Sequence, residues 1–117
     1  MRILNDCIFC KIINGEIPCE KVYEDDKILA FNDINPEAPV HVLIIPKEHI
    51  SMINDINEEN AEVVSHIFLK AKEIAAKLGI EKSGYRIVTN CGIEAGQTVF
   101  HIHYHLLGGR ELQWPPG

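Results

Sequence analysis

The segment Phe100-His101-Ile102-His103-Tyr104-His105-Leu106 alternates histidine with apolar residues. A period of two belongs to an extended strand, whose successive side chains leave opposite faces. His101, His103 and His105 therefore share one face, while Phe100, Ile102, Tyr104 and Leu106 cover the other. At a rise of about 3.3 Å per residue, neighbouring imidazoles stand roughly 6.5–7 Å apart at Cα, close enough for their side chains to converge on one small anion or one metal ion. Such a strand needs an apolar core on one side and chemistry on the other. Two chemistries call for the triplet: a transition-metal site with neutral imidazole ligands, and phosphoryl-group chemistry with one imidazole as nucleophile and others as donors. The spacing alone leaves both open.

The rest of the chain supplies that core. Lys21 to Ile34 reads as a hairpin, with Val22-Tyr23, a Glu24-Asp25-Asp26 turn and a second apolar run from Ile28 to Phe31. Asn35-Pro36-Glu37-Ala38-Pro39 breaks regular structure, and His41 to Ile45 is a β-branched strand ended by Pro46, which has no N–H for a ladder. From Asn57 the period changes to 3.6, with Val64, Ile67, Phe68, Ala71, Ala75 and Leu78 on one stripe. Asn57 is the expected N-cap, and Lys77 with Gly79 the expected end. His66 lies off the stripe and reads as a solvated surface residue. Tyr85 to Asn90 and Phe100 to Leu107 are further strands, joined by the turn-rich 91–96. The sum is α+β, a mostly antiparallel sheet carrying one main helix. With 117 residues, 46% hydrophobic and 24% charged, and no linker or repeat, one domain over residues 1–117 is expected.

Charge and hydropathy remove some partners. Eleven basic against seventeen acidic residues give a net charge of -6, so no polycationic surface is expected and nucleic acid is not a predicted ligand. No apolar run approaches the roughly 20 residues of a membrane span, and Met1 to Asp6 lacks a signal-peptide core, so no membrane partner and a cytoplasmic location are expected. The four cysteines are then expected reduced. Cys7 and Cys10 form a C-x-x-C pair that suggests a metal or a redox site, while Cys19 and Cys91 have no evident mates. A thioredoxin-like motif is the weaker option, because no βαβ alternation surrounds the pair.

His101-Ile-His103-Tyr-His105-Leu-Leu-Gly-Gly-Arg110 resembles the signature of the histidine-triad family, and specifically its Hint branch. The likeness runs through Ile8-Phe9, Ile12, Glu16-Ile17-Pro18, Glu24-Asp25-Asp26, Leu29-Ala30-Phe31, Asp33-Ile34, Pro36, Ala38-Pro39, His41, Ile45-Pro46-Lys47 and His49-Ile50. It continues in Gly84-Tyr85-Arg86, Asn90, Gly96-Gln97 and the ending Trp114-Pro115-Pro116-Gly117. It implies an antiparallel sheet of about five strands with one long helix and a short N-terminal helix.

By that resemblance His103 would attack the α-phosphorus of a purine nucleoside 5′-phosphoramidate and hold the nucleotide covalently until water releases it. Its Nδ1 proton would be pinned by the main-chain carbonyl of His101, leaving Nε2 as the nucleophile. His105, the Thr98 hydroxyl and the Asn90 amide would donate to the phosphate oxygens and the departing amine. Thr98 replaces the serine common in the branch and keeps the hydroxyl, which points to a tuned leaving-group preference. Asp33 matches a carboxylate that accepts from both ribose hydroxyls, although its place before Asn35-Pro36 also suits an Asx turn. Ile8, Phe9, Ile12, Phe31, Ile34 and Leu43 match the apolar walls around the purine, and His41 matches a supporting histidine. Some bacterial-type members carry a structural zinc, for which Cys7, Cys10, His49 and His101 would form the Cys₂His₂ set. Relatives are homodimers, and Trp114 matches a tail residue that approaches the partner's site.

Three other readings make different predictions. A dinucleoside polyphosphate hydrolase is the alternative within the family, although that branch generally lacks the Gly108-Gly109-Arg110 run and the Trp-Pro-Pro-Gly ending. A metal-dependent hydrolase would use His101, His103 and His105 as ligands to one ion and form no covalent species. A non-catalytic nucleotide-binding protein would bind AMP with turnover indifferent to His103.

Overall fold

The computed structural model describes residues 6–117. In chain order it contains α1 (Ile8–Ile13), β1 (Lys21–Glu24), β2 (Ile28–Asn32), β3 (Val40–Pro46), a 3-10 turn (Ile53–Asp55), α2 (Glu62–Lys77), β4 (Tyr85–Val88) and β5 (Tyr104–Gly108). The five strands form one antiparallel sheet in the order β1-β2-β3-β5-β4. This is the architecture that the resemblance implies.

The central strands are largely apolar because both faces of the sheet are covered. Ile28 and Ala30 of β2, Val42 and Ile44 of β3, and Tyr104 and Leu106 of β5 face the core beneath α2, where they meet Ile67, Ala71, Ile74 and Ala75. The alternate residues Leu29, Phe31, Leu43 and Ile45 face the other way and pack with Cys7, Phe9 and Cys10 at α1. The two-residue period thus divides one sheet between a structural core and the face that carries the histidines. Gly108 permits close approach at the end of β5: a Cβ there would lie 2.7 Å from Ile80 Cδ1.

Several boundaries differ from the sequence reading. Asn57 caps a turn ahead of α2, its Oδ1 accepting from the N–H of Glu59 and Asn60, and the helix proper starts at Glu62. Gly79, with φ +78°, ends it as expected, the Ile80 N–H bonding back to Ala75 O at 3.0 Å. Phe68 is 48% exposed despite lying on the predicted stripe, and Ile74 is buried instead. The helix rotates toward the small residues Ala71 and Ala75, which allow it closer to the sheet.

β4 stops at Val88, and β5 starts at Tyr104, four residues later than expected. Pairing with β3 ends at Ile44 opposite Tyr104. Beyond that point the Pro46 carbonyl accepts from the His101 ring, and the Ile102 N–H bonds to Ile50 O at 2.7 Å. His101 and His103 therefore lie on an extended lead-in outside the ladder.

His66 is also corrected. It is half-buried, and its Nε2 lies 2.6 Å from Asp25 Oδ2 in the β1–β2 turn. The same carboxylate accepts from Tyr23 OH, at 2.8 Å, and from the N–H of Lys27 and Ile28. Burial opposes ionisation of Asp25, but these donors outweigh it and hold the carboxyl well below the usual range.

Candidate functional site

Two clusters adjoin on the α1 face of the sheet. The first joins Cys7 and Cys10, one helical turn apart at the start of α1, to His49 after β3 and to His101. Their ligand atoms all lie within 4.8 Å of one another and all four residues are buried. His101 Nδ1 is 3.4 Å from Cys7 Sγ and 3.7 Å from Cys10 Sγ, and His49 Nδ1 is 3.4 Å from Cys10 Sγ.

The outer nitrogens of both rings are engaged elsewhere. His101 Nε2 is 2.8 Å from the Pro46 carbonyl, which only accepts, so Nε2 carries the proton and Nδ1 presents a lone pair to the thiols. His49 Nε2 lies 3.2 Å from Ser51 Oγ. Burial lowers the His101 pKa to about 4, which keeps the ring neutral at pH 7. Two soft thiols and two neutral imidazoles, the latter held by outer hydrogen bonds, form a donor set that fits a tetrahedral metal ion.

The second cluster holds His103, His105, His41 and Asp33. His103 Nδ1 lies 2.8 Å from the His101 carbonyl, so it must donate, and Nε2 is left with the lone pair. The acceptor implied by the resemblance is therefore present. His103 is buried and Phe9 packs edge-on against its ring, with centroids 5.1 Å apart. Burial lowers its pKa, against weaker support from the His101 carbonyl and the Asp33 charge, so the neutral form dominates at pH 7.

His105 takes the opposite tautomer. The Glu37 main-chain N–H donates to His41 Nδ1 at 3.0 Å, which places the proton of neutral His41 on Nε2. That nitrogen lies 2.8 Å from His105 Nδ1 and 3.4 Å from Asp33 Oδ2. His105 Nδ1 accepts, so its Nε2 carries the proton. Burial, reinforced by the neighbouring His103 and His41, lowers the His105 pKa to about 4. The site thus pairs one imidazole offering a lone pair with another, ring centroids 5.2 Å away, offering a donor.

Asp33 forms the Asx turn the sequence suggested, its Oδ1 accepting the Asn35 N–H at 2.8 Å, while its Oδ2 faces His41 at 3.4 Å. Phe9, Phe31 and Leu43 are buried together and Ile12 packs against them. Ile8 is 47% and Ile34 is 92% exposed, so both stand outside that buried wall. Thr98 is exposed and shares a cleft with Ile8, His49, Ser51 and Val99, and Asn90 is half-buried just after β4. Trp114 is 80% exposed, its indole 6.0 Å from the Arg86 guanidinium, which also donates to Gln113 O.

The three histidines of the triplet do not meet at one ion. His101 has one nitrogen toward the thiols and the other on Pro46, leaving neither for a centre shared with His103 and His105. The sequence reading missed Thr89, whose hydroxyl donates to the His103 carbonyl at 2.8 Å, and Glu37, whose N–H sets the His41 tautomer. No local pattern marks either one, since both act across long stretches of chain or through the main chain.

Comparison with known proteins agrees with this fold. A family model described as "Scavenger mRNA decapping enzyme C-term binding" matches residues 6–113. An uncharacterized HIT-like protein of Synechocystis is 55% identical over 112 residues, covering 96% of this chain and 97% of that protein. A 14 kDa zinc-binding protein of Zea mays is 49% identical over 121 residues, covering 100% and 94%. Among solved structures, a HIT family hydrolase from Legionella pneumophila matches with a TM-score of 0.94 at 54% identity, covering 96% of this chain and 100% of that one. A histidine triad protein from Clostridium difficile matches with a TM-score of 0.92 at 50% identity, covering 97% of each. With likeness of this extent, the chain belongs to the histidine-triad (HIT) family.

Proposed function

We propose that this protein is a hydrolase of the Hint branch that cleaves the P–N bond of purine nucleoside 5′-phosphoramidates through a nucleotidyl-histidine intermediate. The observation that carries the reading is the pinned tautomer of His103: its Nδ1–H donates to the His101 carbonyl at 2.8 Å, which leaves the Nε2 lone pair to attack.

In this reading His103 Nε2 forms a bond to the α-phosphorus and the P–N bond to the amine breaks. Its electron pair leaves with the nitrogen, which is protonated through His105. An arriving anionic phosphate favours the protonated form of that imidazole. Water then attacks phosphorus, returning a proton to His105 as the P–N bond to His103 breaks and the nucleoside monophosphate leaves. Thr98 and Asn90 donate to phosphate oxygens. Asp33 receives the ribose hydroxyls, Phe9, Ile12, Phe31 and Leu43 back the purine, and Ile8 and Ile34 cover it from the solvent side.

Cys7, Cys10, His49 and His101 would hold zinc, a reading supported by the donor set and by the zinc-binding relative. Bound there, zinc supplies a cross-link between α1 and the segments at 49 and 101, with no open position for water. We read the protein as a homodimer. The open apolar groove between Ile56 and the α2 residues Val64, Phe68 and Leu69, the free edge of β4 and the exposed Trp114 support this. Among the described residues no helix is long and apolar enough to cross a membrane, and four cysteines outside any disulfide suit a cytoplasmic location.

The test is hydrolysis of adenosine 5′-phosphoramidate by wild type and His103→Ala, with and without a strong chelator, combined with rapid acid-sensitive trapping of labelled nucleotide. Turnover with a trapped adduct in wild type, and loss of both in the variant, is the expected result. Product accumulation without any adduct, or turnover unaffected by His103→Ala, overturns the reading.

A further inference from the structure

We propose that metal loading at Cys7, Cys10, His49 and His101 positions the imidazole of His103, with His101 as the shared element. This rests on the reading of His103 as the reacting residue. The His101 ring belongs to the metal cluster, while its carbonyl, 2.8 Å from His103 Nδ1, fixes the orientation and tautomer of the neighbouring imidazole.

The peptide unit between His101 and Ile102 is held at both ends. Its carbonyl accepts from His103, and its N–H donates to Ile50 O at 2.7 Å, one residue beyond the metal-cluster residue His49. Because the peptide is planar, fixing the N–H on the 49–50 corner aims the carbonyl at His103. Residues 101–103 lie outside the sheet ladder, which begins at Tyr104, so strand pairing does not perform this task. Two further contacts reach the lead-in: the Thr89 hydroxyl on the His103 carbonyl, and Phe9, edge-on to both His101 and His103 at 5.8 and 5.1 Å. Phe9 itself lies between Cys7 and Cys10.

A metal ion therefore ties together, at one point, three of the supports of the reacting ring: the His101 side chain, the 49–50 corner and the Phe9 turn of α1. Metal bonds there would add to the thiol–imidazole hydrogen bonds of 3.4–3.7 Å that already join these pieces. Coupling of this kind is reciprocal, so a change at His103 must also be felt at the metal.

The first experiment needs no substrate. In ¹⁵N-histidine-labelled full-length protein, the exchange of the His103 Nδ1 proton is followed by NMR in the zinc-loaded state, after chelation and after zinc is restored, with zinc content measured alongside. Exchange at least about tenfold faster in the stripped protein, reversed by zinc, is expected. An equal exchange rate with and without bound zinc overturns the proposal.

A second measurement stays with the folded, loaded protein, in case the stripped form unfolds. Cobalt is substituted for zinc and its release to a competing chelator is followed by its absorption bands. Release at least about fivefold faster in His103→Ala than in wild type, with His105→Ala close to wild type, is expected. Equal release from wild type and His103→Ala overturns the proposal. If the metal controls the His103 proton but no nucleotidyl adduct forms, the reaction reading falls and the coupling stands. An adduct that forms with metal-independent exchange removes the coupling alone.

Discussion

His41 Nε2 stands 2.8 Å from His105 Nδ1, and the far side of His41 receives the main-chain N–H of Glu37 at 3.0 Å. A donor that cannot invert its role thus fixes the proton of His41, and through it the proton of His105. Replacing His41 by phenylalanine removes the donor and frees His105 to adopt the other tautomer. The expected outcome is a kcat about 10- to 100-fold lower for a nucleotide joined to a basic alkylamine, less than the roughly 100- to 10,000-fold worth of a whole proton-transfer step because His105 itself remains. The loss shrinks for a leaving group that needs no proton. Steady-state kinetics across a leaving-group series checks this, and a loss independent of the leaving group would contradict it.

Asp33 supports two contacts, one to the Asn35 main chain and one toward His41. Asp33→Asn keeps the turn geometry but weakens the acceptor. We expect KM for adenosine 5′-phosphoramidate to rise about tenfold, as fits the loss of hydrogen bonds to a charged acceptor. The 2′-deoxy substrate loses far less, so the two substrates converge in the variant. Equal losses for both would remove Asp33 from ribose recognition.

Asp25 and His66 join the β1–β2 turn to α2, and Tyr23 shares the carboxylate. Asp25→Ala strands the His66 ring, the Tyr23 hydroxyl and two main-chain donors, and a cost of about 1–3 kcal/mol is expected. Because the folded pKa of Asp25 is depressed, its contribution is present above the ordinary carboxylate range and fades as pH falls through it toward the lower folded value. Urea unfolding at pH 7 and below pH 3 checks the pair: the difference between wild type and variant narrows in acid.

His105 titrates in the same direction for a different reason. Its pKa falls from 6.5 in the unfolded chain to about 4 in the fold, so the unfolded state binds more protons between these values. Stability contributed by the neutral ring is present above pH 6.5 and is lost as pH falls toward 4. Wild type is expected to lose on the order of 1–3 kcal/mol across that window through this group, and His105→Gln to show a shallower decline. Denaturant midpoints measured at half-unit pH steps decide it, and identical slopes would show that His105 is not the group responsible.

Much of this site was legible because its signals are local and periodic. The alternation from His101 to Leu106 assigned faces correctly: Ile102, Tyr104 and Leu106 enter the α2 core, and His103 and His105 lie on the opposite side. Phe100 is the exception, being exposed at the head of the lead-in. Cys7 and Cys10, three residues apart, had to share one side of any helix they joined.

The amino-acid order by itself determined which residues can face one another within a strand or a helical turn, since backbone geometry repeats every two or 3.6 residues whatever surrounds it. The partners across the chain were decided only in three dimensions. Pro46 offers its carbonyl to His101 where a ladder would otherwise continue, Glu37 orients His41 through its main chain, and His66 finds Asp25 across 41 residues. Each of these contacts is made by packing the sheet against its helices, and a buried polar group left unpaired there would cost about 1–3 kcal/mol. Among the described residues no buried side-chain nitrogen or oxygen lacks such a partner. Satisfying those groups together, rather than any local preference, fixes where the strand ends and which way each imidazole holds its proton.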